Sequence, residues 1–473
     1  MRRAVAAIAA SAAVVVLVAG YGALDAVDAV PGPLTTTAPP TASPLPTAPG
    51  AHLAAATAAP VLPALSTGAP RPGPAALAAA VGPLLADPAL GPSVSASVAD
   101  ALTGDVLYEQ APAATHVPAS VTKLLTATAA LRALGPDSRA ETRVVAGADP
   151  GRVVLVAGGD VLLAAGSGQP DAVAGHAGIA DLAAATAQAL RAQGRTSVAV
   201  GLDDHLFSGP ATSPGWGTGD VGSGFVMPIA PLAVDEARLA PVENAPRAAD
   251  PALAAATAFA AALGRDGVTV VPGVTRTGAA PDAAVLAAVP AATTAEVVEL
   301  MLTTSDNTLA EVLARRVAIA AGRPGTFDDA SAAVVAQVGA LGVDVVGAHL
   351  QGGSGLGRDT RLSARTLTGL LSLVAGPAHP ELRSVASGLP IAGATGTLLD
   401  RYDRPDVTGG AGVVRAKTGT LTGVSSLAGY VLDADGRLLA FAVLADAVAP
   451  GGSSRARQAQ DRFSTLLAGC GCR

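Results

Sequence analysis

Residues 118–136 constrain the fold of this chain more than any other stretch, because they combine a helix signal with two reactive side chains. Pro118 precedes an Ala/Leu-rich run that ends at Gly135-Pro136, a pattern typical of a helix with proline in its first turn and a Gly-Pro stop. Ser120 and Lys123 are three residues apart, so one helical turn brings both side chains to the same face. A lysine amine held neutral by burial or by nearby positive charge can take the proton of a serine hydroxyl. The stretch therefore predicts a nucleophilic serine with a lysine base, although an ordinary helix would show the same spacing.

Two further polar motifs lie at the ends of predicted elements. Ser305-Asp306-Asn307 interrupts a run of helix-forming residues and predicts a joint between two helices. Lys417-Thr418-Gly419-Thr420 follows a short Val/Ala strand, where a glycine between hydroxyls suits the close approach of a substrate backbone. Either motif alone is compatible with a purely structural role. Ser-x-x-Lys, Ser-x-Asn and Lys-Thr-Gly in this order, on a helix, a loop and a strand, indicate acyl-enzyme chemistry.

The N-terminal 74 residues predict export of the protein. Arg2 and Arg3 precede an uncharged, mostly apolar run that reaches Leu24, so residues 1–24 are assigned to a signal peptide or membrane anchor. Residues 25–74 are rich in Pro, Thr, Ala and Ser, a composition that buries too little apolar surface to fold. We expect a disordered linker there. The predicted location is extracytoplasmic, with the protein either secreted or held at the membrane by its first 24 residues.

Composition argues against nucleic-acid and metal chemistry. The chain of 473 residues has a formal net charge of −7, which offers no general basic surface for nucleic acid. Its six histidines form no zinc-binding spacing such as His-Glu-x-x-His. We therefore expect no metal, no cofactor and no nucleic-acid partner. The two cysteines, Cys470 and Cys472, are too close in sequence for an unstrained disulfide, and no role is assigned to them.

On these motifs the chain resembles the D-alanyl-D-alanine carboxypeptidase/endopeptidase family, the class C low-molecular-mass penicillin-binding proteins of the peptidase S13 type. Ser120 and Ser305 are 185 residues apart, an interval that resembles the inserted domain of this family. Gly353 stands where the family often has an aspartate. The resemblance covers about residues 80–465 and includes Gly158-Gly159-Asp160, Asp203–Pro210, Met227-Pro228, Leu232–Asp235, Gly353–Leu356 and Gly396-Thr397-Leu398.

The resemblance implies a mixed α/β (α+β) fold of the penicillin-binding/β-lactamase-like transpeptidase type, an antiparallel sheet covered by helices. Residues 75–140 and 290–473 would form a discontinuous catalytic domain, and residues 141–289 an inserted domain that is contracted after Asp235. The hairpin at residues 94–109 and the strands at residues 413–444 are expected in one sheet, because both flank motifs that must converge.

The same resemblance implies a hydrolase: a serine-type D-Ala-D-Ala carboxypeptidase and/or DD-endopeptidase. Its substrates would be peptidoglycan stem peptides of the cell wall, and β-lactams would be covalent inhibitors. Ser120 would become acylated and Lys123 would be the base. Ser305 would pass a proton to the leaving amine, and Asn307 would hold an amide on the acyl side.

The third motif would bind the negative charge of the substrate. Lys417 would bind the terminal carboxylate of the substrate together with Thr418, Gly419 and Thr420. Like-charge repulsion from Lys417 would also lower the pKa of Lys123. The backbone N–H groups of Ser120 and Thr420 would form the oxyanion hole.

Two alternatives stay open at this point. A Ser-His-Asp hydrolase would carry a Gly-x-Ser-x-Gly elbow; none is evident, and His116 and His349 have no evident partners in the sequence. The second alternative is a catalytically weak or inactive homologue that only binds the cell wall. The predicted linker is as compatible with such a protein as with an active enzyme. Intact motifs argue against this second alternative. Labelling by a fluorescent penicillin would discriminate between an active enzyme and an inactive homologue.

Overall fold

The computed structural model describes residues 18–27, 29–30 and 68–472. The chain divides into two compact units, Met1–Ala64 and Leu65–Arg473. In the first unit, residues 18–26 are helical. Most of the predicted signal or anchor segment and most of the predicted linker lie outside the described residues. No helix that the structure describes has the length and apolar character needed to span a membrane.

The second unit contains ten α-helices and fifteen strands among its described residues. The helices are α1 (Pro74–Leu85), α2 (Lys123–Leu134), α3 (Ile179–Ala192), α4 (Pro251–Arg265), α5 (Thr294–Thr304), α6 (Asn307–Ala320), α7 (Phe327–Ala340), α8 (Ala364–Ala375), α9 (Arg383–Ser387) and α10 (Ser453–Gly469). The strands are β1 (Val94–Asp100), β2 (Val106–Gln110), β3 (Thr115–His116), β4 (Arg139–Ala146), β5 (Arg152–Val156), β6 (Asp160–Leu163), β7 (Ser197–Asp203), β8 (Leu232–Val234), β9 (Thr269–Val270), β10 (Thr275–Arg276), β11 (Val285–Thr293), β12 (Leu362–Ser363), β13 (Arg415–Leu421), β14 (Val424–Leu432) and β15 (Leu438–Ala445).

A five-stranded antiparallel sheet forms the catalytic half, in the order β13-β14-β15-β1-β2. Alternate residues of β15 point to opposite faces, as the period of a strand requires. Phe441 and Val443 pack in a core with side chains of α1 and α10, whereas Ala442 and Leu444 belong to the core that contains α2 and α8. The sheet is therefore covered on both faces, and the prediction that residues 94–109 and 413–444 share one sheet is confirmed.

A second, mixed sheet is built from the residues between the first two motifs. Its order is β10-β7-β5-β4-β11, with β9 beside β7, and it has its own core against α3 and α4. Phe259 and Leu182 of those helices are fully buried. The sheet runs from Arg139 to Thr293. The inserted domain predicted at residues 141–289 stays a prediction as to its boundaries.

The three motifs lie on three kinds of local structure. Ser120 is in a 3₁₀ turn, Ala119–Thr122, that leads directly into α2. Ser305 has a left-handed φ of 62° and ends α5, and Asp306 then caps α6 by accepting the Leu309 N–H at 2.8 Å. The predicted joint between two helices is therefore present. Residues 417–420, predicted on a strand, lie within β13.

The C-terminal tail contains both cysteines of the chain. Cys470 and Cys472 form a disulfide in the structure, and their Cα atoms are 5.0 Å apart. That separation is within the range of about 4.4–6.8 Å that a disulfide can join. The Gly73 N–H donates to the Cys472 carbonyl at 2.5 Å, so the residues just before α1 contact this tail.

Candidate active site

The turn that carries Ser120 is held by close approach of backbone from two sides. Ala119 has a φ of +49°, which is unusual for a residue with a side chain. A Cβ on Gly419 of β13 would lie 2.4 Å from the Pro118 carbonyl oxygen. A Cβ on Gly355 would lie 2.0 Å from the Ala119 carbonyl oxygen. Glycine at both positions is what allows these segments to contact the turn.

Lys123 joins the first and second motifs. Its side chain is fully buried, and its Nζ lies 3.0 Å from Ser120 Oγ. The same Nζ donates to Asn307 Oδ1 at 2.7 Å and to the Ser354 carbonyl at 2.8 Å. A buried ammonium needs such acceptors around it. The structure thus brings together the serine of the 3₁₀ turn, the lysine that begins α2 and the asparagine that begins α6.

Lys417 joins the second and third motifs. This side chain is also fully buried, and its Nζ donates to Ser305 Oγ at 2.8 Å and to the Thr418 carbonyl at 3.1 Å. The Thr418 hydroxyl lies 2.8 Å from the hydroxyl of Thr397, a residue the sequence flagged only within a resembling stretch. Lys417, Ser305 and Thr418 therefore form a continuous polar wall.

A cleft of about 430 Å³ opens in front of these groups. It is lined by Ser120, Ser305, Gly396, Thr397, Asp400, Arg401, Thr418, Thr420 and Arg457. Asn307 lies behind it, with its Nδ2 donating to the Phe225 carbonyl at 2.9 Å. Seven of the eight residues predicted for the site are brought to hydrogen-bonding distance or to this cleft, and the eighth, Gly419, supports the Ser120 turn.

Burial shifts the pKa of both lysines downward. Burial lowers the pKa of Lys123 to about 7, although the negative charges of Asp306 and Glu311 act in the opposite direction. The pKa of Lys417 is lowered well below its ordinary value, first by burial and then by the positive charge of Lys123. A lysine with a pKa near neutrality can act as a base at physiological pH.

Glu311 is a buried residue of the site that the sequence analysis missed. Its carboxylate accepts the N–H groups of Gly353 and Ser354 at 2.9 and 3.0 Å and the Ser354 hydroxyl at 2.5 Å. Ser354 in turn supplies the carbonyl that accepts from Lys123. The available signal was a glutamate among the apolar positions of α6.

The same loop leaves no room for a side chain at Gly353. A Cβ there would lie 2.7 Å from the Ala310 carbonyl oxygen and 2.6 Å from Ala314 Cβ. Helix α6 therefore packs too closely against this loop to admit a side chain.

The segment at residues 224–247 contacts the second motif from the side of the mixed sheet. Glu236 is almost fully buried between Arg238, at 3.2 Å, and Arg247, at 3.3 Å. Arg247 also donates to the Gly224 carbonyl at 2.8 Å, next to the Phe225 carbonyl that accepts from Asn307. Burial, with the charge of Asp306 as the next cause, raises the pKa of Glu236 to about 8. This segment thus supports Asn307 through its backbone.

His116 has partners that the sequence did not reveal. Its Nδ1 lies 3.0 Å from Asp446 Oδ1 and 3.3 Å from Ser93 Oγ. A Ser-His-Asp relay places its serine and its carboxylate on opposite ring nitrogens, whereas both contacts here are to Nδ1. Asp446 also accepts the Val117 N–H at 3.2 Å, so the cluster holds the chain that leads to Ser120.

Within the described part of the chain, no three His, Cys, Asp or Glu side chains are grouped so that they would hold a metal ion. The chemistry of the site rests on Ser120, two lysines and a hydroxyl, with backbone N–H groups at a turn. This arrangement on an antiparallel sheet defines the class of serine hydrolases that form an acyl-enzyme on a penicillin-binding fold.

Comparison with known proteins identifies the family within that class. The family model described as D-Ala-D-Ala carboxypeptidase 3 (S13) matches residues 77–249 and 237–467. The chain belongs to this family of serine peptidases, which confirms the predicted family, fold class and enzyme class.

Individual relatives agree with this assignment. The chain is 40% identical over 417 residues to a carboxypeptidase of Mycobacterium tuberculosis, covering 87% of each protein. It is 31% identical over 442 residues to a D-alanyl-D-alanine carboxypeptidase of Actinomadura, covering 76% of this chain and 79% of that protein.

Solved structures show the fold. The crystal structure of penicillin-binding protein 4 from Haemophilus influenzae matches with a TM-score of 0.67 at 21% identity, covering 83% of this chain and 99% of that one. That protein has also been solved in complex with a β-lactam.

Proposed function

We propose that this chain is a serine-type D-Ala-D-Ala carboxypeptidase and/or DD-endopeptidase that acts on peptidoglycan stem peptides through an acyl-enzyme and is inhibited by β-lactams. The observation that carries this proposal is that two contacting pairs, Ser120 with Lys123 at 3.0 Å and Ser305 with Lys417 at 2.8 Å, present both serines to the same cleft. The relatives named as carboxypeptidases support the choice of substrate.

Acylation starts at the first motif in this proposal. Lys123, with a pKa of about 7, takes the proton of Ser120 while Oγ attacks the carbonyl carbon of the penultimate D-alanine. The backbone N–H groups of Ser120 and Thr420 stabilise the oxyanion, and each such donor typically contributes about 2.7–4 kcal/mol. Both residues line the cleft. Asn307 positions an amide on the acyl side.

The leaving group departs toward the third motif. Ser305, in contact with Lys417, delivers a proton to the leaving nitrogen as its bond to carbon breaks. Lys417 and the hydroxyls of Thr418 and Thr420 bind the terminal carboxylate. A carboxylate arriving beside Lys417 raises the pKa of that amine, so substrate binding favours its charged form.

The location of the enzyme follows from its substrate. Peptidoglycan lies outside the cytoplasm, and the basic residues and apolar run of residues 1–24 are the sequence pattern of export. We propose that these residues direct secretion or anchor the protein. Residues 1–24 are the only part of the chain that we propose to contact a membrane.

A fluorescent penicillin tests the proposal directly. We expect stoichiometric labelling of the parent, none of Ser120→Ala, and release of D-alanine from a pentapeptide ending in D-Ala-D-Ala. A parent that binds cell walls but is not labelled would instead support the alternative of a non-catalytic wall-binding homologue. Two serine–lysine pairs kept in contact beside one cleft argue against that alternative.

A further inference from the structure

We propose that Arg457 is a specificity-determining residue that binds a second carboxylate on the leaving-group side when the substrate is a cross-linked stem peptide. This inference rests on the proposed function. It assigns a role to a residue at the start of α10, outside the three motifs.

The cleft is lined by Ser120 and by residues of the second and third motifs, but not by every residue of the site. It includes Ser305, Thr418 and Thr420, which face the leaving amine and the terminal carboxylate, and it continues to Thr397 and Arg457. Asn307, which holds the acyl side, does not line it. The open volume therefore belongs to the part of the substrate that departs.

The size of the cleft exceeds what one D-alanine requires. Its volume of about 430 Å³ lies within the range of roughly 300–1,000 Å³ that encloses ligands of drug size. A carboxypeptidase releases a single amino acid from this side. A cross-linked substrate would place a peptide there.

The charges on the cleft wall fit a peptide that carries its own carboxylate. Arg401 is already engaged, because its Nη2 donates to Asp461 Oδ1 at 2.5 Å and to the Arg457 carbonyl at 3.2 Å. The side chain of Arg457 is exposed, and among the described residues it has neither a salt bridge nor a side-chain hydrogen bond. Asp400 lines the same cleft and supplies a site for positive charge.

Arginine is suited to this task because its planar guanidinium binds a carboxylate through two parallel hydrogen bonds. In the step concerned, a bond forms between Ser120 Oγ and the D-alanine carbonyl carbon, and the bond from that carbon to the cross-linking nitrogen breaks. The hydroxyl proton is transferred to that nitrogen, so the leaving group is a neutral peptide amine. Water then hydrolyses the ester.

The test compares a small and a large leaving group on the same enzyme. Arg457→Ala, Arg457→Lys and the parent are measured for penicillin acylation, for D-alanine release from a pentapeptide, and for cleavage of a purified cross-linked muropeptide dimer. We expect Arg457→Ala to lower kcat/KM for the dimer by about five- to tenfold, the effect of losing one charge-assisted hydrogen bond in an open cleft. Acylation and D-alanine release should stay within about twofold, and Arg457→Lys should keep part of the dimer activity.

Arg455→Ala is the matched control. Arg455 is exposed on the same helix two positions away, so it points to another face, and it does not line the cleft. It should leave all three rates unchanged. Equal losses on both substrates, an unchanged rate with the dimer in Arg457→Ala, or a parent that releases D-alanine without cleaving the dimer would each overturn this inference alone. A parent that penicillin does not label would overturn the proposed function and this inference with it.

Discussion

The two lysines of the active site are equally buried, yet the nearby charges that act on them have opposite signs. Lys123 has three oxygen acceptors within 3.0 Å and two carboxylates, Asp306 and Glu311, that raise its pKa against the effect of burial. Lys417 has a hydroxyl and a carbonyl as acceptors, and the nearby charge that acts on it is the positive charge of Lys123. Burial alone would make them alike, so the neighbours decide the difference.

This difference assigns separate tasks to the two amines. As pH rises, Lys417 should lose its proton before Lys123, because repulsion adds to burial at Lys417 whereas carboxylates oppose burial at Lys123. In the proposed mechanism Lys123, with a pKa of about 7, accepts the proton of Ser120, and Lys417 becomes charged when a substrate carboxylate arrives. The following experiments test this division.

Removing Lys123 should have the largest effect. Lys123→Ala leaves Ser120 without a base within contact, and loss of a general base typically costs about 10²- to 10⁴-fold in rate. The measurement is the second-order rate of acylation by a fluorescent penicillin and by a D-Ala-D-Ala peptide. Thermal unfolding of the variant serves as the folding control. A folded variant that keeps more than a tenth of the parent rate would contradict the role of Lys123.

Removing Lys417 should cost less. Lys417→Ala deletes one charge-assisted contact to the substrate, worth about 1.5–3 kcal/mol, so we expect acylation by the peptide to fall by about 10- to 100-fold. Lys417→Arg keeps the charge but carries a wider head in a fully buried position, so it should recover only part of the rate. A substrate analogue that lacks the terminal carboxylate should be hydrolysed equally by all three proteins. If the three proteins still hydrolysed that analogue at different rates, a contact between Lys417 and the substrate carboxylate would be contradicted.

Displacing the Ser354 carbonyl, which accepts from Lys123, should have an intermediate effect. Glu311→Gln keeps the shape of the side chain but leaves one of the donors from Gly353 or Ser354 unpaired, which should reduce the free energy of unfolding by about 1–3 kcal/mol. Displacement of the Ser354 carbonyl should slow acylation by about tenfold.

Ser331→Ala controls for damage to the loop itself. Ser331 Oγ accepts the Gly352 N–H at 2.9 Å without touching the acceptor of Lys123. It should reduce stability and leave the acylation rate near that of the parent. Equal kinetic losses in the two variants would show that Glu311 acts on the fold alone.

A smaller effect is expected where the segment at residues 224–247 supports Asn307. Arg247→Ala removes the contacts to the Gly224 carbonyl beside Phe225 and to Glu236. It should raise KM for the peptide by about threefold with kcat nearly unchanged, because the backbone that accepts from Asn307 is held less firmly. Arg276→Ala deletes an exposed ion pair with Asp204 and Asp250 elsewhere in the same region and should change neither constant. Identical behaviour of the two variants would argue against this support.

The smallest expected effect concerns the pH dependence of acylation, which Lys417→Ala should leave almost unchanged. The parent acylation rate should rise with pH through about 7, because only neutral Lys123 accepts the serine proton. Like-charge repulsion, as argued from the sequence, would move this rise to higher pH in Lys417→Ala. If Lys417 has already lost its proton, the rise stays in place, within about half a pH unit. A larger upward shift, read from rate against pH, would show that Lys417 is charged in the free enzyme.

Much of the fold and site was predictable because the information is local. Ser120 and Lys123 are held together by a single turn, and Ser305 was marked by polar residues that end one helix and cap the next. Glu311, Arg247 and the Asp446 partner of His116 were not predictable, because each acts on residues far away in the chain. Residues 417–420 were predicted on a strand and lie within β13, where they pair with β14.

The amino-acid sequence by itself determined the family, the three motifs, the order of helices and strands around them and the identity of the reacting groups. It did so because local spacing and residue type carry that information. The tertiary structure decided how the surroundings of two equally buried lysines differ, because carboxylates face one and a like charge faces the other. It also placed Arg401 and Arg457 on the wall of the cleft, where one guanidinium is already paired and the other faces the open volume. Electrostatic interactions depend on distances between residues remote in sequence, and only the folded chain sets those distances.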